Sequence, residues 1–477
     1  MNEPRPFLVG GEWRMSGECA DIRFPYDSTA IGRVCLAADA DIEDSVLRAT
    51  AGFSVTRALP AHRRASILSA LAGEIGRRSD ELAAAIVLEA GKARPLAEAE
   101  VQRAMETIRI SAEEAKRTGG EILPLDWTPA GEGYTGYVRR FPLGVVLGIT
   151  PFNFPFNLAC HKLGPAFAAG NAFILRPSTK TPLSSLLLGE MALDAGIPPE
   201  AISVVPCTAA RAERLAADPR IAYLSFTGSP AVGWHLKAIA GRKRVGLELG
   251  GNAAVIVHAD ADPAFAAARI VNGGFANAGQ ICISVQRVFL HRSVYDEALG
   301  RIVAGAQALR AGDPRDPSAG IGPMISPEAA SAAMEMVREA VAGGANVLAG
   351  GTCDGTLFAP TVLAETTPDM RVNTAEIFAP VISVTPYDEI EDAIGMANES
   401  EYGLQMGIFT RDIEHILSAF DDCEAGALIV NDIPTLRMDH MPYGGVKGSG
   451  LGREGPRYAI EEMTEMKMLV INRADAR

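Results

Sequence analysis

Apolar positions in the first part of the chain recur at the spacing of a helix. Over 61–78 (AHRRASILSALAGEIGRR), Ile67, Leu68, Leu71 and Ile75 share one face, which predicts an amphipathic helix. Ser79 stands where a cap for the next helix is expected, with Glu81 and Leu82 inside it. A further amphipathic helix is predicted near 99–117, carrying Arg103 and Glu113, with Gly119-Gly120 ending it. Residues 120–140 lose the helical period and are rich in Gly, Pro and aromatics, which predicts a strand-like excursion out of the first domain.

From 142 onward the pattern alternates between short apolar runs and helical stretches. Strands are predicted at Val145–Ile149, Ala172–Leu175, Ile202–Val205 and Tyr223–Phe226, with a helix over 183–194 between two of them. A second series of strands follows at 254–257, 287–291, 381–385 and 427–430. Short apolar runs separated by helices predict an α/β fold with parallel, doubly wound sheets. The ending MKMLVINR reads as an edge strand whose apolar residues need a partner, either the 120–140 excursion or another subunit.

Composition narrows the function classes. A chain of 477 residues is too long for one compact core, so two or three domains are expected. The net charge of −14 argues against an extended nucleic-acid-binding face. Seven cysteines (19, 35, 160, 207, 282, 353 and 423) are scattered without a CxxC pair, which predicts reduced thiols in a cytoplasmic setting. Without CxxC or HExxH, no metal site is expected. No apolar signal core opens the chain and no run is long enough to span a bilayer, so no membrane role is expected.

Two strings carry the candidate chemistry: Glu248 in LELGGN and Cys282 in NAGQICIS. An isolated cysteine is ordinarily a small buried hydrophobe. Here a thiol and a carboxylate each sit among small and Gly-rich neighbours, as covalent chemistry on a carbonyl requires. Asn153 lies between two aromatics and two prolines in Thr150-Pro151-Phe152-Asn153-Phe154-Pro155, as an amide donor to an oxyanion or as a loop Asn capping the next helix. Phe226-Thr227-Gly228-Ser229 with Gly233 follows a strand and suits a pyrophosphate at a helix start, although plain helix–sheet packing explains the glycines equally. Arg176, Ser178, Thr179 and Lys180 offer cations and hydroxyls for a ribose or its phosphate, or form a polar turn.

Taken in order along the chain, TPFNFP, GPAFAAGN, FTGSPAVG, LELGGN, GQICIS, EIFAPV and PYGGVKGSGLGREG resemble the aldehyde dehydrogenase superfamily, from about residue 8 to residue 470. The resemblance implies a Rossmann-type cofactor domain, an α/β catalytic domain and a β oligomerisation arm. It implies that Cys282 is the nucleophile, that Asn153 and the Cys282 backbone N–H form an oxyanion hole, and that Glu248 activates water against a thioester. Lys162 and Glu454 match a supporting proton-relay pair. Thr150, Pro151, Phe152, Phe226, Gly228, Ser229, Gly233, Leu249 and Gly250 fall at cofactor positions. Glu376 would hold the nicotinamide ribose, with Phe378 beside the ring, and the adenosine ribose would lie near Arg176, Ser178 and Thr179.

Where the family often carries a Glu, this chain has Thr179, which removes repulsion of a 2′-phosphate, and Arg176 adds positive charge. NADP is therefore expected to be accepted or preferred, with NAD use left open. Arg103, His161 and Arg437, with Tyr443, are the expected substrate residues and would together hold a hydroxyl or an anion. The ending NDIPTLRMDHMPYGG resembles the branch of lactaldehyde and short semialdehyde dehydrogenases, which implies a small hydrophilic aldehyde. The alternatives are a CoA-acylating dehydrogenase, against which the carboxylate of Glu248 argues, and a non-catalytic binding relative. The expected division is a cofactor domain of 1–119 and 139–248, a catalytic domain of 249–453, and an oligomerisation element of 120–138 with 454–477. A homodimer or homotetramer is expected from that arm.

Overall fold

The apolar runs form two large sheets in the computed structural model, which describes residues 3–473. Residues 1–2 and 474–477, the outer ends of the first and last expected segments, lie outside the described residues. At the centre of the first sheet are five parallel strands, in spatial order Ile202–Val204, Ala172–Arg176, Val145–Ile149, Ile221–Thr227 and Arg244–Glu248. All five residues of Val145–Ile149 are buried, because helices cover both faces; the strand therefore reads as an unbroken apolar run.

The chain leaves Val145–Ile149 toward one side of the sheet, then returns to the other side through Ile221–Thr227. That reversal opens a crevice at the carboxyl ends of the two strands, where ligands bind in open α/β sheets. Thr150–Asn153, Arg176–Thr179, Gly228-Ser229 and Glu248 all lie at carboxyl ends of these strands.

The second sheet has seven strands, six of them parallel: Thr361–Ala364, Val381–Tyr387, Val285–His291, Ala253–Val257, Gln405–Phe409 and Ala427–Val430. Cys282 sits in the loop that enters Val285–His291. Each large sheet carries its own apolar core, one built around Val146, Leu147 and Ile174 and the other around Val255, Val288 and Ile382.

Two buried carboxylates fix helix starts that border the crevice. Glu100 accepts from the Phe156 and Asn157 N–H groups at 3.0 and 3.1 Å, at the start of the helix Asn157–Ala169. Glu89 accepts from Leu183 and Ser184 N–H at 2.6 and 3.0 Å, at the start of Leu183–Asp194. A carboxylate at a helix N-terminus satisfies donors that have no partner within the helix and complements the dipole. Lys92, itself buried, is ion-paired to Glu100.

Helix boundaries differ from the sequence expectation at three points. The helix expected from 99 starts at Arg94, with Pro95 in the first turn, where its missing N–H costs nothing. It ends at Glu114, before Gly119-Gly120. Ser79 is the first residue inside Ser79–Ala90 rather than its cap.

The 120–140 excursion forms the strands Gly120–Pro124 and Tyr134–Pro142, and Thr464–Asn472 pairs along the whole length of the latter. Residues 454–463, expected with the arm, instead join the first layer. Gly450–Leu451 pairs with Arg244–Glu248, and the helix Pro456–Glu462 buries Ala459 and Ile460 in the first core. Among the described residues no helix is long and apolar enough to cross a membrane.

Candidate active site

The carboxyl edge of the first sheet faces the entry edge of the second across a cavity of about 600 Å³. Cys282, Asn153 and Glu248, far apart in sequence, all line it. The loop before Cys282 is held in an unusual form: Asn277, Ala278 and Gly279 take positive φ of 51°, 54° and 67°. A Cβ on Gly279 would stand 2.1 Å from the Ala379 carbonyl oxygen, so glycine lets this loop touch the segment carrying Glu376 and Phe378. Gln280 pins the loop from the other side, its Oε1 accepting from Ile325 N–H at 2.8 Å. Asn153 Nδ2 donates to the Gln280 carbonyl at 2.9 Å, tying the amide to the cysteine loop and leaving its second N–H available.

Cys282 Sγ lies 3.0 Å from the Tyr443 hydroxyl. Burial pushes the thiol up to about 12, and the Tyr443 hydrogen bond opposes that rise. Glu248 Oε2 is buried without a hydrogen-bond partner. Burial, reinforced by the neighbouring charge of Glu454, raises its carboxyl well above the usual range, while Arg437 and Lys162 pull the other way.

Behind Glu248 lies a charged layer. Lys162 Nζ donates to Ser225 Oγ, Thr227 Oγ1 and Glu454 Oε1 at 3.0, 2.7 and 2.9 Å. Arg437 reaches the other oxygen of Glu454 at 3.1 Å. Burial alone would raise the Glu454 carboxyl, but Lys162 and Arg437 hold it down at about 2. Arg437 also stacks on the Tyr443 ring at 3.6 Å from its centre, and its Nε is buried without a partner.

The cofactor positions fall into two groups. Pro151, Phe152, Gly228, Ser229, Leu249, Gly250, Glu376 and Phe378 line the cavity, whereas Phe226 and Gly233 pack beneath it. A Cβ on Gly233 would lie 2.3 Å from Leu249 Cδ2, so this glycine serves helix–sheet contact. Ser229 precedes the helix Pro230–Ile239 without capping it, which leaves its hydroxyl free at a helix N-terminus. Glu376 accepts from Gly251 N–H at 3.0 Å, and a Cβ on Gly250 would meet its carboxylate at 2.4 Å. Phe378 meets Phe152 edge-on at 5.9 Å. Thr150, Arg176, Ser178 and Thr179 stand at the strand ends outside this cavity, with Arg176 donating to the Cys207 carbonyl at 2.9 Å and its Nε buried without a partner. These features fit a dinucleotide: a free hydroxyl and helix N-terminus for the pyrophosphate, a cradled carboxylate for a ribose, and an unpartnered guanidinium N–H beyond.

The expected substrate cluster is broken up by a residue that sequence reasoning did not single out. Arg103 lines the cavity but is bidentate to Asp439, at 3.1 and 2.7 Å. His161 does not line it; the ring is buried behind, with Nε2 2.9 Å from Asp439 Oδ1. Burial and the nearby Arg437 lower the His161 pKa against the pull of Asp439, and its Nδ1 is buried without a partner. Arg437 and Tyr443 remain in the cavity wall. Asp439 pairs with residues 336 and 278 positions away, so no local pattern announces it. Lys92 and Glu100 were likewise not singled out, although they are only eight residues apart.

Comparison with known proteins agrees with this architecture. The sequence model of the Aldehyde dehydrogenase family matches residues 13–469. The chain is 41% identical over 465 residues to 3-sulfolactaldehyde dehydrogenase from Priestia aryabhattai, covering 97% of each. It superimposes on aldehyde dehydrogenase 21 from Physcomitrella patens, solved with the reaction product succinate, with a TM-score of 0.97, 37% identity and 100% coverage of both chains. Glyceraldehyde-3-phosphate dehydrogenase from Methanocaldococcus jannaschii, complexed with NADP, matches with a TM-score of 0.92 and 35% identity, over 96% of this chain and 99% of that one. The chain belongs to the aldehyde dehydrogenase family, NAD(P)-dependent oxidoreductases acting on the aldehyde group.

Proposed function

We propose that this enzyme oxidises a small hydrophilic aldehyde, a hydroxyaldehyde or short semialdehyde, to its carboxylic acid through a covalent intermediate on Cys282. The observation that carries the reading is the meeting of Cys282, Asn153 and Glu248 in one cavity whose wall also holds Arg437. Cys282 Sγ adds to the aldehyde carbon; an S–C bond forms and the carbonyl π pair moves onto oxygen. The free Asn153 N–H and the Cys282 backbone N–H hold that oxyanion, which is the charge that must be stabilised before it can collapse. A bound NADP or NAD supplies the hydride acceptor. Collapse of the oxyanion expels hydride from the carbon and leaves a thioester on sulfur. Glu248 then takes a proton from water, whose oxygen attacks the thioester and releases the acid. Lys162 and Glu454, bonded to each other at 2.9 Å behind Glu248, would relay that proton away.

Glu376 and Ser229 would hold the nicotinamide ribose and the pyrophosphate. Arg176 and Thr179, with no carboxylate at the Thr179 position, support use of NADP. On the substrate side, Arg437, with an unpartnered Nε, is the group best placed for a substrate oxygen or anion, and Arg103 stands at the entrance with its charge shared by Asp439. Relatives named for sulfolactaldehyde and solved with succinate favour an aldehyde with a distal anion.

The position of Thr464–Asn472 at the margin of its three-stranded sheet and the exposed apolar residues Met468, Leu469 and Val470 support a homodimer or a dimer of such dimers. Seven unbonded cysteines fit a cytoplasmic enzyme.

An aldehyde panel assayed by formation of NADPH and NADH, with Cys282→Ala as control, tests the reading. Activity confined to long aliphatic or aromatic aldehydes refutes the substrate class. Acyl-CoA formation in place of acid refutes hydrolysis. Arg437→Ala and Arg103→Ala should raise KM more for anionic than for neutral aldehydes; equal rises would remove the anion site.

A further inference from the structure

The resemblance places Tyr443 only among substrate residues, yet its hydroxyl touches the reacting sulfur. Its oxygen is 3.0 Å from Cys282 Sγ, and its ring is buried. The guanidinium of Arg437 lies 3.6 Å from the ring centre and is anchored on Glu454, which is anchored in turn on Lys162. We propose that Tyr443 is a catalytic residue: its O–H donates a hydrogen bond to the Cys282 thiolate and lowers the cost of forming it, with the stacked Arg437 strengthening the donor. The inference rests on the reading of Cys282 as nucleophile.

The physical case is one of compensation. The thiol is held in an apolar setting between Ile281 and Ile283, next to Leu404, and burial disfavours a charged sulfur there. When the S–H bond breaks, the electron pair stays on sulfur and the proton leaves through the open cavity to solvent. The Tyr443 proton stays on oxygen and points at the new charge, a charge-assisted hydrogen bond among apolar neighbours. A cation on the ring face draws electron density from the phenol and makes its O–H a better donor. Once the sulfur carries the acyl group it is neutral, so the bond is strongest at the stage where the nucleophile is needed.

The experiment is the pH dependence of Cys282 alkylation by iodoacetamide in the intact enzyme without cofactor, with the labelled residue located by mass spectrometry. Tyr443→Phe keeps the ring and removes only the hydroxyl. The expected result is an upward shift of the alkylation midpoint by about one to two pH units, the worth of one hydrogen bond to a charged acceptor. At a fixed pH below both midpoints, that shift slows alkylation by about 10- to 100-fold. Arg437→Lys keeps the hydroxyl and the charge but loses the flat stacking surface, and should shift the midpoint by less in the same direction. An unchanged midpoint in Tyr443→Phe overturns the proposal, and an unchanged one in Arg437→Lys alone overturns the part assigned to Arg437. Cys282→Ser separates the two readings: if it still oxidises aldehydes, the nucleophile assignment fails; if it is inactive while Tyr443→Phe alkylates as wild type, only the tyrosine proposal fails.

Discussion

Glu248 and Thr179 are the residues whose replacement separates the chemical steps most cleanly. In the proposed mechanism Glu248 must be deprotonated to accept a proton from water, and burial raises its pKa well above the usual carboxylate range. Turnover limited by thioester hydrolysis should therefore rise with pH through that raised pKa and fall below it. Glu248→Gln should release about one reduced cofactor per Cys282 in a rapid-mixing burst and then slow by about 100-fold or more. Loss of the burst would place Glu248 in the first half-reaction instead. Thr179→Glu should restore a carboxylate where a 2′-phosphate is expected and lower kcat/KM for NADP relative to NAD by about 10- to 100-fold. An unaltered ratio would remove Thr179 from the cofactor site. Cys282, Glu248 and Asn153, which meet in one cavity, were legible as candidates because their neighbours are short strings of Gly, Pro and aromatics. His161 was misplaced, because its partner Asp439 is 278 positions away.

The crevice at the scale of elements depends on helices whose starts are held by buried carboxylates. Burial pushes Glu89 up to about 7, against the hydrogen bonds from Ser184 and Leu183 that lower it. A folded-state pKa above the unfolded value means the folded protein binds the extra proton between about 4.5 and 7. The contribution is therefore present at low pH and is lost as pH rises through that window, by roughly 3 kcal/mol in all. Glu89→Gln should flatten the fall of Tm across this range. Some slope should remain, because Glu376 is also raised to about 7 by burial. A Tm–pH curve with the wild-type slope would refute this. The strands Val145–Ile149 and Ala427–Val430 were legible to the residue as apolar runs between turns, the first buried throughout and the second only in part. Helix starts were less legible, because Arg94 and Ser79 begin helices without a capping side chain.

At the scale of the whole molecule, the arm exposes apolar side chains on its surface. Leu469 is 59% exposed and Trp127 87% exposed, although Thr464–Asn472 is fully paired along one edge. Replacing Met468 and Val470 together by Lys should shift the protein toward monomer in sedimentation velocity while leaving the Tm of the two cores nearly unchanged. An oligomer that survives both charges would assign the contact elsewhere. Sequence alone determined the α/β class and the order of strands along the chain, and it singled out Cys282, Asn153 and Glu248 as candidates, because these depend on local period and on short strings. Tertiary structure alone decided which strands neighbour one another, that residues 454–463 join the first core, and that Asp439 occupies Arg103 and His161. It also decided that the Tyr443 hydroxyl meets the Cys282 sulfur. Pairings across hundreds of residues are set by how two sheets face each other, and a cation's partner or a thiol's donor is chosen by that distance in space.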